Sequence, residues 1–107
     1  MLFNKPLSVL LFKEGSDTYV AQCLEYDVCG AGKTLQEAII SLLLLMEGYE
    51  VLSHDDKVEL VPAPGLYYKS YSQAKYYETD IPMKYDINFR LYKKKEVDNA
   101  FTDSENE

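Results

Sequence analysis

The stretch "YVAQCLEYDVCGAGKTLQEAI", residues 19–39, changes its hydrophobic period halfway along. Its first part alternates, with Tyr19, Ala21 and Cys23 on one side and Val20, Gln22 and Leu24 on the other, which is the period of a half-buried strand over residues 18–26. "DVCGAGKT" then predicts a short third strand, its glycines marking a twisted or bulged end. "TLQE" is a helix start. The Thr34 hydroxyl can accept from the backbone N–H of Glu37 while the Glu37 carboxylate reaches back to the Thr34 N–H, a capping box. Within 21 residues the chain therefore turns from sheet to helix, and the elements on either side follow from that junction.

Upstream, "PLSVLLFKEG" (6–15) is a β-rich apolar run closed by the turn residues Glu14-Gly15-Ser16-Asp17, so it pairs with 18–26 as a hairpin. Downstream, Leu35, Ala38, Ile39, Leu42, Met46 and Tyr49 follow helical spacing and form a core stripe. Ile40, Leu43, Leu44 and Leu45 fall outside it and give the helix a second apolar surface, which needs a cover from this chain or another. Pro62 and Pro64 in "ELVPAPG" break the chain into a non-helical crossing. "LYYKSYSQAKYYE" (66–78) places Tyr67, Tyr71, Ala74 and Tyr77 on one helical face and is read as a short aromatic helix. "MKYDINFRLYKK" (83–94) sets Met83, Tyr85, Ile87, Phe89 and Leu91 against Lys84, Asp86, Asn88, Arg90 and Tyr92, a closing strand. The expected architecture is an α+β domain: three antiparallel strands, a long helix, a proline-broken crossing with a second short helix, and a final strand, with the helices on one face of a four-stranded sheet.

Of the net charge of −7 on 107 residues, five acids and no base lie in residues 96–107, which leaves 13 acids against 11 bases elsewhere. Residues 1–95 are thus expected to form the single domain, close to neutral, and 96–107 a solvated, disordered acidic tail. A near-neutral domain lacks the clustered lysines and arginines that grip phosphate, so direct nucleic-acid binding is not expected, and "YKKKE" (92–96) reads as a charged strand end. The longest apolar run, Ala38–Met46, is too short to span a bilayer. No cleavage-site pattern follows the N-terminal apolar residues, and a cytoplasmic location is expected.

Catalytic chemistry finds few carriers. Cys23 and Cys29 are six apart with only His54 to join them, short of the four closely spaced ligands of a structural zinc site. Buried, reduced thiols acting as small apolar groups fit them, with a disulfide between neighbouring strands as the alternative. Glu25 and Asp27 suggest a general acid/base pair, against the reading of a solvated turn. "GAGKT" lacks the upstream glycine of a phosphate loop, since position 27 is Asp. No metal and no cofactor are expected. Ten tyrosines, five of them between Tyr67 and Tyr77, suit packing and protein interfaces more than base stacking, because only Lys69 and Lys75 stand among them.

"YVAQCLEYDVCGAGKTLQEAIISLLLLMEGY" resembles the defining part of HicB-type antitoxins: an extended Y-x-A-x-C, an acidic loop, a glycine-bearing short strand, then T-L-x-E-A opening a helix. The likeness covers residues 7–77 and, more loosely, the last strand. It implies a partial RNase H-like fold without the nuclease's metal carboxylates, and the first strand, Leu7–Phe12, indeed carries no acid. It also implies a non-catalytic protein that neutralises a small mRNA-cleaving toxin by covering it, usually as a dimer or tetramer. After Lys95 too few residues remain for the DNA-binding domain many relatives carry, so repression of its own operon is not expected. An orphan homo-oligomer of the same family, or a small nuclease or hydrolase using Glu25 and Asp27, are the alternatives. Ile40, Leu44, Leu45, Tyr67, Tyr71, Tyr85, Ile87, Phe89 and Leu91 are the expected contacts to a toxin or to further copies of the chain.

Overall fold

A computed structural model describes residues 2–55 and 59–93. Its elements are β1 (Leu7–Glu14), β2 (Thr18–Cys23), β3 (Cys29–Gly32), α1 (Leu35–Asp55), α2 (Gly65–Ser72), β4 (Lys75–Tyr77) and β5 (Ile87–Leu91). The expected tail, residues 96–107, lies outside the described residues. The chain is an α+β domain with one mixed five-stranded sheet, ordered β3-β2-β1-β5-β4.

The hairpin forms as the sequence indicates. Gly15, at φ 73°, takes the left-handed position of its turn, and β1 and β2 pair antiparallel with Leu11 opposite Ala21. β3 continues the meander on β2, with Ala21 opposite Gly30. β5 lies parallel to β1, Val9 opposite Phe89, and β4 closes the other edge antiparallel to β5.

α1 packs on one face through the expected stripe. Ala38, Ile39, Leu42 and Met46 are fully buried against Leu7, Val9, Leu11, Ala21, Cys23 and Phe89, with Leu35, Leu43 and Tyr49 partly buried beside them. Close approach of helix and sheet requires Gly30: a Cβ there would stand 2.3 Å from the Leu42 backbone nitrogen. At the helix start, the Glu37 N–H donates to the Thr34 hydroxyl at 3.1 Å. The Glu37 carboxylate accepts from the Lys33 N–H at 2.8 Å rather than from Thr34, so the box closes one residue earlier than its pattern indicates.

Three expectations are corrected. The sheet has five strands, because the segment read as one helix over 66–78 ends at Ser72 and Lys75–Tyr77 pairs with β5 as an edge strand. The closing strand starts at Ile87 rather than Met83, although Met83 and Tyr85 still pack on the same core. The helices lie on opposite faces. β1 is apolar on both sides: Leu7, Val9 and Leu11 meet α1, whereas Leu10 and Phe12 join Leu24, Ala63, Tyr67, Tyr71 and Ala74 in a second cluster under α2. A central strand apolar on both sides needs cover on both.

Candidate functional site

The two acidic residues at the end of β2 come first because catalysis would have to start there. Glu25 is half-buried, and its Oε1 accepts from the Ser8 backbone N–H at 2.7 Å. Asp27 is exposed, and its Oδ1 accepts from Nε2 of the buried Gln22 at 3.0 Å; the same nitrogen also donates to the Cys23 carbonyl at 2.9 Å. Both carboxylates are engaged with donors of their own chain, Glu25 tying the β2–β3 connection to β1 and Asp27 tying it back to β2. Glu25 is thus not part of a merely solvated turn. His54 falls in the last turn of α1, its side chain outside the described part.

The cysteines are both free. Cys23 is buried and Cys29 exposed, so only the first is the core thiol the sequence suggests. Burial pushes the Cys23 thiol above its ordinary pKa, against a lowering by the Tyr26 backbone, with Glu25 adding to the rise. Among the described residues no group of three or more His, Cys, Asp and Glu side chains is placed to hold a metal ion. A cavity of about 710 Å³ at the ends of β1 and β5 is lined by Phe12, Tyr19, Leu35, Leu91 and Tyr92 with Lys13 and Lys93; no carboxylate or histidine lines it, so it holds no acid/base pair.

The surface that stands out is the outer side of α1. Helical periodicity turns Ile40, Leu44 and Leu45 away from the sheet, and they are 45%, 62% and 43% exposed. Continuing the same rows by two turns reaches Val51 and Leu52, at 65% and 51%. Ser41 and the exposed Gly48 lie between these side chains, and Glu37 and Glu47 stand at the margin. The apolar stripe runs from Ile40 to Leu52, about 18 Å at 1.5 Å per residue. Contiguous apolar surface of this kind is uncommon on a small monomeric domain. The sequence reading named Ile40, Leu44 and Leu45 but missed Val51 and Leu52; their i+7 and i+8 spacing from Leu44 carries the missing information.

The remaining expected contact residues are elsewhere. Phe89 and Tyr85 are buried in the core of their own chain, with Ile87 and Leu91 partly buried against it. Tyr67 and Tyr71 pack under α2, where the Tyr67 ring meets Phe12 and the Arg90 guanidinium sits 4.7 Å over the Tyr71 ring. The Tyr71 hydroxyl donates to the Asn88 carbonyl at 3.2 Å, and Arg90 Nη1 donates to the Tyr71 carbonyl at 3.2 Å. These side chains hold the fold together; of the expected contacts, the three on α1 are the exposed ones among the described residues. Val61 and Leu66 are also exposed, on the α2 side of the sheet. No helix among the described residues is long and apolar enough to cross a membrane.

No family model matches the chain, and no curated protein or solved structure is found to be similar to it.

Proposed function

We propose that the chain is a non-catalytic protein-binding module of the HicB antitoxin type, cytoplasmic, which neutralises a small mRNA-cleaving toxin by covering it. The observation that carries the binding part of this reading is the outer stripe of α1: five large aliphatic side chains exposed on one helix, with none of the described elements of the chain over them. The toxin part rests on the sequence likeness over residues 7–77. The engagement of Glu25 and Asp27 with the chain's own donors favours this reading over a hydrolase built on those two acids.

The test is growth rescue. A small reading frame adjacent to the gene is expressed alone and together with this chain; the frame alone should arrest growth, and co-expression should restore it. Leu44→Glu, which places a charge in the middle of the stripe, should abolish the rescue while Glu25→Gln leaves it intact. Metal-dependent RNA cleavage by the purified chain, lost in Glu25→Gln, would overturn the proposal.

A further inference from the structure

β1, β3 and β5 run in the same direction, because β1 and β3 are each antiparallel to β2 and β5 is parallel to β1. Their carboxyl ends therefore lie on one side of the sheet, and α1 begins on that side at Leu35. The pairing of β1 with β5 stops at Leu11 and Leu91, whereas β1 continues to Glu14 beside β2 alone. A crevice opens where β5 leaves, with α1 on one face of the sheet and α2 on the other. In open sheets, ligands bind in the crevice outside the carboxyl ends of parallel strands, where the covering helices part to opposite faces. The cavity of about 710 Å³ lies here. Small-molecule sites measure about 300–1,000 Å³.

Its walls are apolar and its charges are of one sign. Phe12, Tyr19 and Tyr92 supply three aromatic rings, and Leu35 and Leu91 add aliphatic surface. All five are half-buried, so each keeps part of its apolar surface uncovered by its own chain. The sheet fixes two of the rings: Tyr19 stands opposite Lys13 in the hairpin, and the Tyr92 N–H donates to the Leu11 carbonyl at 2.8 Å. Two lysines complete the lining, with no acid among the described residues. The Lys13 ammonium lies 5.5 Å from the centre of the Tyr19 ring, beside the aromatic wall. Lys93 is the first lysine of "YKKKE", so part of what the sequence shows as a charged strand end is the rim of a cavity. The start of α1 adds little, because the Glu37 N–H is bonded to the Thr34 hydroxyl and the Glu37 carboxylate to the Lys33 N–H.

We infer that this cavity is a binding site for a small organic acid, its aromatic body seated among Phe12, Tyr19 and Tyr92 and its carboxylate held by Lys13 and Lys93. A flat ring suits walls made of rings. An anion suits two ammonium groups with no acid beside them, whereas a neutral ligand leaves both unused and a cation is repelled. Aromatic rings beside lysines also describe a base and its phosphate. A strand, however, needs a tract of positive charge, and residues 1–95 carry 13 acids against 11 bases. The site is separate from the outer stripe of α1, since neither Ile40 nor Leu44 lines it. It stands whether or not that stripe docks a protein.

Amide NMR of the full chain, titrated with phenylbutyrate and with indolepropionate, is the test. Saturable shifts should appear at Lys13, Gly15, Leu35 and Tyr92, with a Kd of about 100 µM for the better acid. Phenylbutanamide, the same body without the charge, should bind about tenfold more weakly, and so should butyrate, the charge without the ring. Lys13→Gln/Lys93→Gln should weaken each aromatic acid to the level of the amide and leave the amide's own affinity unchanged, a pattern that a misfolded chain does not give. Absence of saturable shifts from both acids up to about 10 mM overturns the inference. Equal binding of acid and amide overturns it too, by showing an apolar surface without selectivity for an anion. Shifts centred on Ile40 and Leu44 do the same by placing the acids on the α1 stripe. Tighter binding of a short oligothymidylate at the cavity amides overturns it in favour of single-stranded nucleic acid.

Discussion

The two faces of the sheet are covered by different means. On the α1 side, thirteen buried residues from four elements and the segments between them make one continuous apolar core. On the α2 side only Leu10, Leu24 and Ala63 are buried in the cluster, and no residue of α2 itself is buried. That side is held instead by polar contacts at the end of the sheet. The Ala63 N–H donates to the Leu24 carbonyl at 2.9 Å, the Asp27 N–H to the Val61 carbonyl, and the Tyr68 hydroxyl to the Leu24 carbonyl. Pro62 and Pro64 have no N–H to satisfy, so the crossing needs only the alternate residues to bond. The difference assigns stability to one face and adaptability to the other: apolar burial scales with area and resists opening, whereas a few solvent-accessible hydrogen bonds open locally.

The sharpest way to break this comparison is to damage the α1 face. Leu42→Ala removes a fully buried side chain at the centre of the large core and should cost about 3 kcal/mol in urea unfolding. Gly30→Ala should cost at least as much, because the new methyl meets backbone atoms of Leu42 and Ala38 that can move only if the helix shifts off the sheet. A loss below about 1 kcal/mol for either would mean that the helix docks loosely and that the two faces are alike.

A second test uses pH. Burial raises the Cys23 thiol, and burial followed by the Glu50 and Glu47 carboxylates raises the Tyr85 hydroxyl, both on the α1 side. In each case the folded state holds its proton to higher pH than the unfolded chain. The unfolded chain loses protons first, so stability is fully present below the unfolded pKa values, about 8.5 for Cys and 10 for Tyr, and falls as pH rises through and beyond them. Unfolding free energy should be flat from neutral pH to about 8 and decline above it. Among the described residues the buried Tyr85 hydroxyl has no hydrogen-bond partner. Tyr85→Phe should therefore cost almost nothing at neutral pH and flatten the decline above about pH 10. An unchanged alkaline decline in that variant would assign the decline above about pH 10 to a group other than Tyr85.

Much of the α1 face could be read from the chain before folding, and much less of the α2 face. Helical spacing from Leu35 to Tyr49, the alternation of Tyr19 to Leu24 and the Thr34 cap are local patterns, and each appears where its period places it. What local pattern cannot carry is the partner of a strand distant in sequence. The parallel pairing of β1 with β5 joins Leu7 to Ile87, and the Ser8 N–H finds its acceptor in Glu25; neither is encoded in its neighbourhood. The aromatic segment after Pro64 has helical spacing through Tyr77, yet pairing with β5 takes Lys75–Tyr77 into the sheet, where tyrosine is favoured. The run of β1 reads in the sequence only as β-rich and apolar; that it is covered on both faces is seen in the structure, where Leu10 and Phe12 meet the cluster under α2. On α1, Ile40, Leu44 and Leu45 are legible in the sequence as apolar positions outside the core stripe, whereas their exposure depends on what distant segments pack against the helix.

Thr34→Ala gives a smaller effect than the core changes. It removes the acceptor of the Glu37 N–H at the start of α1 and should cost about 1 kcal/mol. A change of only a few tenths would mean that the neighbouring contact, the Lys33 N–H to the Glu37 carboxylate, is enough to begin the helix.

The smallest expected effect bears most directly on the contrast between the faces. Tyr68→Phe deletes one hydroxyl, which donates to the Leu24 carbonyl at 2.6 Å and ties α2 to the end of β2. A single neutral hydrogen bond of this kind contributes about 0.5–1.5 kcal/mol. Because α2 is held by few buried groups, the loss should appear as local opening rather than as global unfolding. Backbone amides within α2 and the Ala63 N–H should exchange several-fold faster, as about 1 kcal/mol implies a factor near five. Amides of Leu42 and Met46 should keep their rates, since they open only with the core. Equal acceleration on both helices would show that α1 and α2 unfold as one unit, and the division of labour between the two faces would fall with it.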